Sequence, residues 1–230
     1  MAKNAAPGTC ALCGYRSSKA GMVRHVGACA AAHDVSKGTP ARLYHLRAEG
    51  AYARMFWLDL EMKADATLKR LDRFLRDIWL ECCGHLSAFR IDQTTYTIPV
   101  DDPFGDFRED RSMNYKIGEV LSPSGHKFSY EYDFGSTTPL TLRVMGNREG
   151  VIGRSVLRLL ARNDPPVWPC EVCKQPATLV CPYCMDEGRA FYCAAHSKEH
   201  ECDEEDVWLP VVNSPRMGTC GYTGAGWPAE

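Results

Sequence analysis

The most chemically distinctive part of this chain is a cluster of cysteine and histidine residues near its C-terminus. Eight of the residues between 170 and 202 are of metal-ligand type, and they fall into close pairs. A Cys-x-x-Cys pair on a tight turn can bring two thiolates to about 2.3 Å from one zinc ion, and four such ligands complete a tetrahedral structural site. The cluster therefore predicts two zinc ions. Its ligands are Cys170, Cys173, Cys181, Cys184, Cys193, His196, His200 and Cys202.

Two pairings of these eight ligands fit the sequence. An interleaved order, which resembles the cross-braced B-box, MYND and HIT-type modules, assigns one ion to Cys170, Cys173, Cys193 and His196. The other four ligands then hold the second ion. A sequential order fills both shells equally well, and Cys220 is a further candidate that can replace a ligand.

The N-terminus repeats the pattern on a smaller scale. A Cys-x-x-Cys pair is followed by a histidine and a cysteine four residues apart. If residues 18–30 are helical, these last two side chains lie on one face of the helix, towards the cysteine turn. The spacing predicts a zinc finger and a third zinc ion, with His33 as a spare ligand if Cys29 is not used. The predicted ligands are Cys10, Cys13, His25 and Cys29.

Disulfide bonds are the alternative explanation for so many cysteines. They require an oxidising compartment, yet the sequence shows neither the apolar stretch of a secretory signal nor a run of about eighteen apolar residues that would span a membrane. We therefore expect a cytoplasmic protein with reduced thiols and no membrane partner. Three cysteines remain outside the zinc sites: Cys220, and the adjacent Cys82 and Cys83, which are interpreted as buried apolar side chains at a helix end.

The segment between the two zinc-binding ends predicts an α+β domain. Strands are expected at 41–50 and 53–62 with a turn at Glu49-Gly50, at 85–91, 95–100 and 140–146, and at 127–134 with Phe134 on the same face as Phe128. Apolar spacing predicts one long helix over 67–82 and a short one near 116–120. Residues 156–160 fit either a strand or a helix. The predicted domains are a finger at 1–38, the α+β core at 41–162, a two-zinc module at 167–208 and a Gly/Pro-rich tail at 209–230.

Two segments of the core resemble a known family. They are His85–Ile91 (HLSAFRI) and Tyr132–Gly135 within YEYDFGSTTPLTLRV. The core, over about residues 41–150, resembles the plasmid Ri ORF-3-like family, also described as the insertion-element passenger TnpR family, and with its zinc modules looks like a zinc-bearing subgroup. Common members follow the glycine with an acidic pair, Trp and His. This chain continues with Ser136-Thr137-Thr138-Pro139-Leu140, so no role of that His is transferred. The resemblance implies an α+β fold and a mobile-element setting.

The charge distribution suggests recognition as the function. The net charge is −2, but basic residues outnumber acidic ones in the first fifty positions, and acids crowd residues 199–206. Polyanions should therefore favour the first finger. Arg16, Lys19 and Arg24 are the candidate nucleic-acid contacts. The alternative is a protein-interaction adaptor that uses the C-terminal zinc module.

An enzyme is the third hypothesis. Catalytic zinc needs an open coordination position, whereas four protein ligands can fill each predicted site, so the sequence favours structural zinc. No nucleophile-and-base pattern and no small-molecule substrate are identified. The candidate catalytic residues of the core are His85, His126, Asp133, Asp101, Asp102 and Asp106.

Overall fold

A computed structural model describes residues 6–98, 110–202 and 207–224. The candidate acids Asp101, Asp102 and Asp106 and the acidic run 203–206 lie outside these ranges. The described helices are α1 (Lys19–Ala32), α2 (Leu68–Leu75) and α3 (Ile117–Val120). The described strands are β1 (Gly8–Cys10), β2 (Arg16–Ser17), β3 (Ala41–Gly50), β4 (Trp57–Lys63), β5 (Ser87–Ile91), β6 (Thr94–Thr97), β7 (Arg111–Ser112), β8 (Lys127–Tyr132), β9 (Thr138–Gly150), β10 (Leu157–Asn163), β11 (Leu179–Val180), β12 (Phe191–Tyr192) and β13 (Leu209–Pro210). The predicted α+β class is confirmed.

The chain forms two compact units. The first comprises Met1–Phe74 and Leu86–Asp164, and the second comprises Leu75–His85 and Pro165–Glu230. The first unit holds a ten-stranded sheet in the order β2-β1-β10-β4-β3-β9-β8-β5-β6-β7, in which all neighbours are antiparallel except β6 and β7. The second unit holds a three-stranded sheet in the order β12-β11-β13.

Three sequence predictions about the elements need correction. Gly50 is still part of β3, and the chain turns over residues 51–56, not at Glu49-Gly50. The strand β8 ends at Tyr132 because Asp133 takes a positive φ of 65°, so Phe134 leaves the strand and is 43% exposed. The long helix is shorter than predicted, since α2 passes into a π-helical turn over Arg76–Leu80 and the chain is no longer helical after Leu80.

The segment left open between strand and helix is strand β10, and it joins the N-terminal residues to the main sheet. Gly8 of β1 pairs with Asn163 of β10. A side chain at Gly8 would overlap the ring of Trp57 and the carbonyl of Arg162, so only glycine permits this close approach. The predicted finger is therefore built onto the edge of the large sheet by backbone pairing.

Helix α1 packs its apolar side on this part of the sheet. Met22, Val26 and Ala30 are buried together with Trp57 and Leu160. Ser18 caps the N-terminus by accepting a hydrogen bond from the backbone N–H of Gly21 at 3.2 Å. The sequence prediction of a helix over 18–30 is confirmed.

Arginine side chains from the sheet fix the other end of α1. Arg158 donates to the carbonyls of Ala30 at 2.7 Å and His33 at 2.9 Å, which ties the C-terminal end of α1 to the sheet. Arg148 binds Asp34 at 2.7 Å and Glu61 at 2.7 Å. The hydrogen bond from Arg148 lowers the pKa of Asp34 to about 2. Arg158 also binds Glu61, at 2.8 Å. The Glu61 side chain is only 3% exposed, so the guanidinium groups of Arg148 and Arg158 compensate a buried carboxylate.

We predict that Arg148→Met lowers the free energy of unfolding by about 2–3 kcal/mol, because it leaves a buried carboxylate short of one cation. Arg42→Met is the matched control. The Arg42–Glu149 pair is 3.7 Å long and both side chains are more than half exposed, so its loss should cost about 0.5 kcal/mol or less. Urea unfolding followed by circular dichroism in the presence of zinc measures both values, and equal losses would show that the buried network contributes nothing special.

Candidate metal centres

The N-terminal cluster combines the turn after β1 with the buried side of α1. Ligand atoms of Cys10, Cys13, His25 and Cys29 all lie within 4.8 Å of one another. The Sγ atoms of Cys10 and Cys29 are 3.8 Å apart, and the Sγ of Cys13 is 3.2 Å from Nε2 of His25. The turn forms because the backbone N–H of Gly14, which has a φ of 75°, donates to the carbonyl of Cys10 at 2.9 Å. Helical spacing then presents His25 and Cys29 to it.

The spare ligand His33 lies at the edge of this group. Its Nδ1 is 2.8 Å from the carbonyl oxygen of Cys29 and 3.6 Å from the Cys29 Sγ. The imidazole therefore has a backbone partner at the helix end, while His25 points Nε2 at the cysteine turn. His25 is the histidine that the structure groups with the three thiols.

The thiols of the N-terminal cluster differ in how easily they ionise. The backbone N–H of Tyr15 lowers the pKa of Cys13. Burial, together with the neighbouring thiols of Cys13 and Cys10, raises the pKa of Cys29 to about 12. One thiolate is thus stabilised by the turn, and a second beside it is disfavoured unless a cation is present.

The C-terminal ligands form two groups in the second unit. The first is Cys170, Cys173, Cys193 and His196, and the second is Cys181, Cys184, His200 and Cys202. This is the interleaved order, one of the two that the sequence left open. Antiparallel pairing explains it: Val180 of β11 lies opposite Phe191 of β12, so the ligands that follow each strand, Cys181 and Cys193, leave the small sheet at opposite ends.

Local contacts shape the ionisation and orientation of these ligands. Burial opposes ionisation of Cys170, but backbone N–H groups of Cys173 and Cys193 outweigh it and lower its pKa to about 6. Burial raises the pKa of Cys184 to about 12, with the Cys202 thiol adding to the effect. Nδ1 of His200 lies 3.1 Å from the Tyr192 hydroxyl, which leaves Nε2 to face Cys184. Such a partner fixes the tautomer of a metal-binding imidazole.

The spacing of the ligand atoms fits tetrahedral zinc. With Zn–S near 2.3 Å and Zn–N near 2.0–2.1 Å, the edges of the tetrahedron are about 3.8 Å between sulfurs and about 3.6 Å between sulfur and nitrogen. The observed sulfur pairs are 3.9 Å (Cys173–Cys193), 3.9 Å (Cys181–Cys202) and 3.7 Å (Cys184–Cys202). The Cys184–His200 distance is 3.4 Å. Disulfide bonding needs sulfurs at about 2.05 Å, and all twelve cysteines are free thiols.

A fourth group of the same kind was missed by sequence reasoning. It consists of Cys82, Cys83, His85 and Cys220, whose ligand atoms also lie within 4.8 Å of one another. Cys83 is exposed and Cys82 half-buried, so their interpretation as buried apolar side chains is wrong. The local Cys-Cys-x-His spacing was a usable signal, but Cys220 is 135 residues from His85 and nothing near it in sequence pointed to a partner.

A basic cleft lies on the sheet of the first unit. Cross-strand register places Arg47 of β3 opposite Arg143 of β9, and Arg143 opposite Lys127 of β8. Side chains directly opposite each other share one face, and like charges in that position repel. With Arg54 and Glu49 these residues line a cleft of about 260 Å³. Within the described ranges, Lys127 and Arg143 are exposed and have no carboxylate partner.

The Arg47 side chain of this cleft is buried and held by hydrogen bonds. It is 7% exposed and donates to Asp59 at 2.6 and 3.1 Å, with its guanidinium 5.1 Å from the centre of the Trp57 ring. Arg47 also donates to the backbone carbonyl of Lys19 at 3.2 Å. Its charge is therefore largely compensated, and the exposed Lys127, Arg143 and Arg54 supply the positive potential at the mouth.

The three predicted nucleic-acid contacts differ in availability. Lys19 binds Glu49 at 2.7 Å and its side chain is 16% exposed, and burial lowers its pKa. Arg16 pairs with Asp164 at 2.5 Å, although its side chain remains 67% exposed. Arg24 is exposed on α1. Lys19 thus forms an ion pair with Glu49 at the edge of the basic cleft and is the least available of the three for contact with nucleic acid.

The described members of the candidate catalytic set have separate structural partners. Asp133 accepts hydrogen bonds from the backbone N–H groups of Gly135 and Ser136. His126 accepts one from Ser122 N–H at 2.9 Å and contacts Asp92 at 3.2 Å. His85 belongs to the fourth cysteine group, in the other unit.

Comparison with known proteins finds a family match within the first unit and the segment inserted in it. The plasmid pRiA4b ORF-3-like protein family matches residues 50–151. No curated protein matches. A crystal structure of a protein of unknown function from Methanosarcina mazei Go1 is 17% identical, with a TM-score of 0.46, and the match covers 54% of this chain and 70% of that one. Among the described residues, none of the helices has the length and apolar character needed to cross a membrane.

The family match falls on β4 to β9 of the first unit and includes both segments, His85–Ile91 and Tyr132–Gly135, that carried the resemblance. Residues 50–151 of this chain thus match the model of the plasmid pRiA4b ORF-3-like family.

Proposed function

We propose that this protein is a zinc-bearing, non-catalytic recognition protein of the cytoplasm that binds nucleic acid. Three zinc ions complete the N-terminal finger and the two interleaved C-terminal sites. The donor set is the observation that supports zinc binding most strongly. Each group has three cysteines and one histidine, and the distances between sulfur atoms are close to the edges of a tetrahedron around zinc.

The donor sets also favour a structural over a catalytic role for zinc. A catalytic zinc keeps one position for water or substrate, usually beside a carboxylate base. Each group here offers four protein ligands, so a bound ion would have a closed shell. The zinc ions would instead stabilise segments that lack a large apolar core of their own, such as the small sheet β11 to β13.

Replacing His25 and His33 one at a time tests which histidine binds zinc in the proposed N-terminal site. We predict that His25→Ala lowers the zinc content by one ion per chain, because it removes the only imidazole grouped with Cys10, Cys13 and Cys29. His33→Ala is the matched control and should keep the full content, since the His33 ring bonds the Cys29 carbonyl. Native mass spectrometry counts the ions. Loss of zinc from the His33 variant with retention in the His25 variant would reverse the ligand assignment.

Nucleic-acid binding is supported by the basic cleft. Arg47, Arg143 and Lys127 stand in one row across three strands, about 4.8 Å apart from strand to strand. The exposed Arg143 and Lys127 of this row, with Arg54 in the same cleft, suit a chain of phosphates, because each bound phosphate offsets the repulsion between neighbouring cations. The cleft also adjoins Lys19 of the finger helix through the Arg47–Lys19 contact. The first finger and the cleft would thus form one basic surface.

We predict that Lys127→Glu with Arg143→Glu weakens nucleic-acid binding and lowers the slope of log affinity against log salt by about two, one for each lost phosphate contact. The matched control is Arg42→Glu with Arg90→Glu, which reverses two charges that are more than half exposed and already paired with Glu149 and Glu131. Fluorescence anisotropy with labelled DNA and RNA, single- and double-stranded, measures the affinity from low to physiological salt.

The proposal fails if the native protein binds none of these nucleic acids at low salt, or if the control pair weakens binding as much as the cleft pair. Arg24→Glu, measured alongside, tests the finger. A large effect there with none at Lys127 and Arg143 would assign binding to α1 alone and remove the cleft from the proposal.

A protein partner is the second candidate function, and one observation favours it. Val172 and Tyr183 lie inside the Cys170-x-x-Cys173 and Cys181-x-x-Cys184 turns and are 48% and 52% exposed. Exposed apolar side chains at the tips of two metal turns suit a protein contact.

If this alternative holds, Val172→Asp with Tyr183→Asp should abolish binding of a protein that copurifies with the native chain, at unchanged zinc content. Val167→Asp is the control, since Val167 is 74% exposed but outside both turns. Equal loss in the control, or partner binding that survives the double change, would exclude these two turns as the contact.

A further inference from the structure

The fourth cysteine group joins two distant parts of the chain. Cys82, Cys83 and His85 follow the π-helical turn after α2, and Cys220 lies in the tail after β13. All four residues belong to the second compact unit. Cys83 Sγ is 3.0 Å from Nε2 of His85 and 3.8 Å from Sγ of Cys220, and His85 Nε2 is 3.3 Å from Cys220 Sγ. We propose that these residues bind a fourth zinc ion.

Cysteine stoichiometry supports this site. The chain has twelve cysteines, and the four groups divide them into four sets of three without remainder. Each set is completed by one histidine, so all four groups share the donor set Cys3His. The donor set is a common one for closed structural zinc sites. The three cysteines left outside the predicted zinc sites are the three that meet here.

The geometry requires only a small adjustment to hold zinc. The Cys83–Cys220 and His85–Cys220 distances already approach tetrahedral edges of about 3.8 and 3.6 Å. The Cys82–Cys83 sulfurs are 2.9 Å apart and would have to separate by about 0.9 Å to reach such an edge. Cys83 is exposed, so its side chain has room to move. At 2.9 Å the sulfurs are also well beyond the bond length of a disulfide, about 2.05 Å.

Hydrogen bonds hold the first three ligands in place. Glu81 accepts from the backbone N–H of Gly84 at 2.6 Å, and Gly84 has a φ of 75°, which turns the chain back between Cys83 and His85. Arg76 donates to the carbonyl of His85 at 2.7 Å and to Glu81 at 2.8 Å. The loop is therefore shaped without help from the thiols.

The tail presents Cys220 through a similarly constrained turn. Cys220 has a positive φ of 49° and lies between Gly218 and Gly221, which also have positive φ. The backbone N–H of Thr219 donates to the carbonyl of Arg216 at 3.1 Å. A non-glycine residue in this conformation costs free energy, and a metal bond to its sulfur would compensate.

Arg216 supplies charge compensation. Three thiolates and one neutral imidazole around Zn²⁺ leave a net charge of −1. The Arg216 side chain is fully buried and donates to Cys82 Sγ at 3.4 Å. A cation directly beside a ligand sulfur stabilises the thiolate form that zinc requires.

Exposure distinguishes this site from the other C-terminal sites. Cys83 and Cys220 are exposed, whereas Cys170, Cys181 and Cys184 are buried. The fourth ion should therefore be the most accessible to chelators. When bound, it would tie the tail to the end of the helix, across 135 residues of sequence between His85 and Cys220. Its loss would release the tail while the other ions stay bound.

Zinc content and thiol reactivity together test the proposal. Native mass spectrometry of the reduced protein should count four zinc ions, and Cys83→Ser with Cys220→Ser should count three. Thr219→Ser, in the same turn as Cys220, is the control and should keep four. Three ions in both the native protein and the double variant would overturn the fourth site and leave the three proposed earlier standing.

Alkylation provides a measurement that needs no variant. In the zinc-loaded native chain, Cys83 and Cys220 should resist iodoacetamide despite their exposure, and limited chelator should make them the first cysteines to react. Peptide mapping identifies the modified positions. Reaction of both at the rate of free exposed thiols in the fully zinc-loaded chain, or a Cys83–Cys220 disulfide that persists in the presence of reductant, would refute the site.

Discussion

Crowding of thiol and imidazole groups is the constraint on which this structure depends. Each of four groups brings three sulfurs and one ring nitrogen within 4.8 Å of one another. Burial, with the neighbouring thiols adding to it, raises the pKa of Cys29 and of Cys184 to about 12, and the Cys82 thiol together with burial raises the pKa of Cys83 to about 12. A divalent cation reverses this, since it binds thiolates and offsets their repulsion. We therefore expect a bound divalent cation to stabilise all four groups.

The two compact units use these groups differently. In the first unit, the cysteine turn continues into β1, which pairs with β10, and α1 covers Trp57. Metal at this site would secure an element that the sheet and the Arg148 and Arg158 contacts already hold. In the second unit the sheet has only three two-residue strands, and the apolar cluster around Val180 includes the ligands Cys181 and Cys184 themselves. Metal binding there would contribute a larger share of the free energy that stabilises the second unit.

Local patterns in the sequence were sufficient for much of this account. The Cys-x-x-Cys pairs and the helical His25–Cys29 spacing identified three groups, because their ligands lie close together in the chain. Contacts between segments that are distant in the chain could not be predicted from the sequence. Cys220 gave no sign of its partners near residue 83, and the row of Arg47, Arg143 and Lys127 exists only through the register of three strands. Phe134 was misplaced because alternation does not reveal that Asp133 adopts a positive φ and ends β8.

We propose that zinc in closed Cys3His shells completes the two ends of the chain. X-ray absorption at the zinc edge of the purified, reduced protein tests it most directly, because it reports the average donor set whichever sites are filled. We expect three sulfurs at about 2.3 Å and one nitrogen at about 2.0 Å per zinc. A shell dominated by oxygen or nitrogen, or a folded protein that contains no zinc, would contradict it.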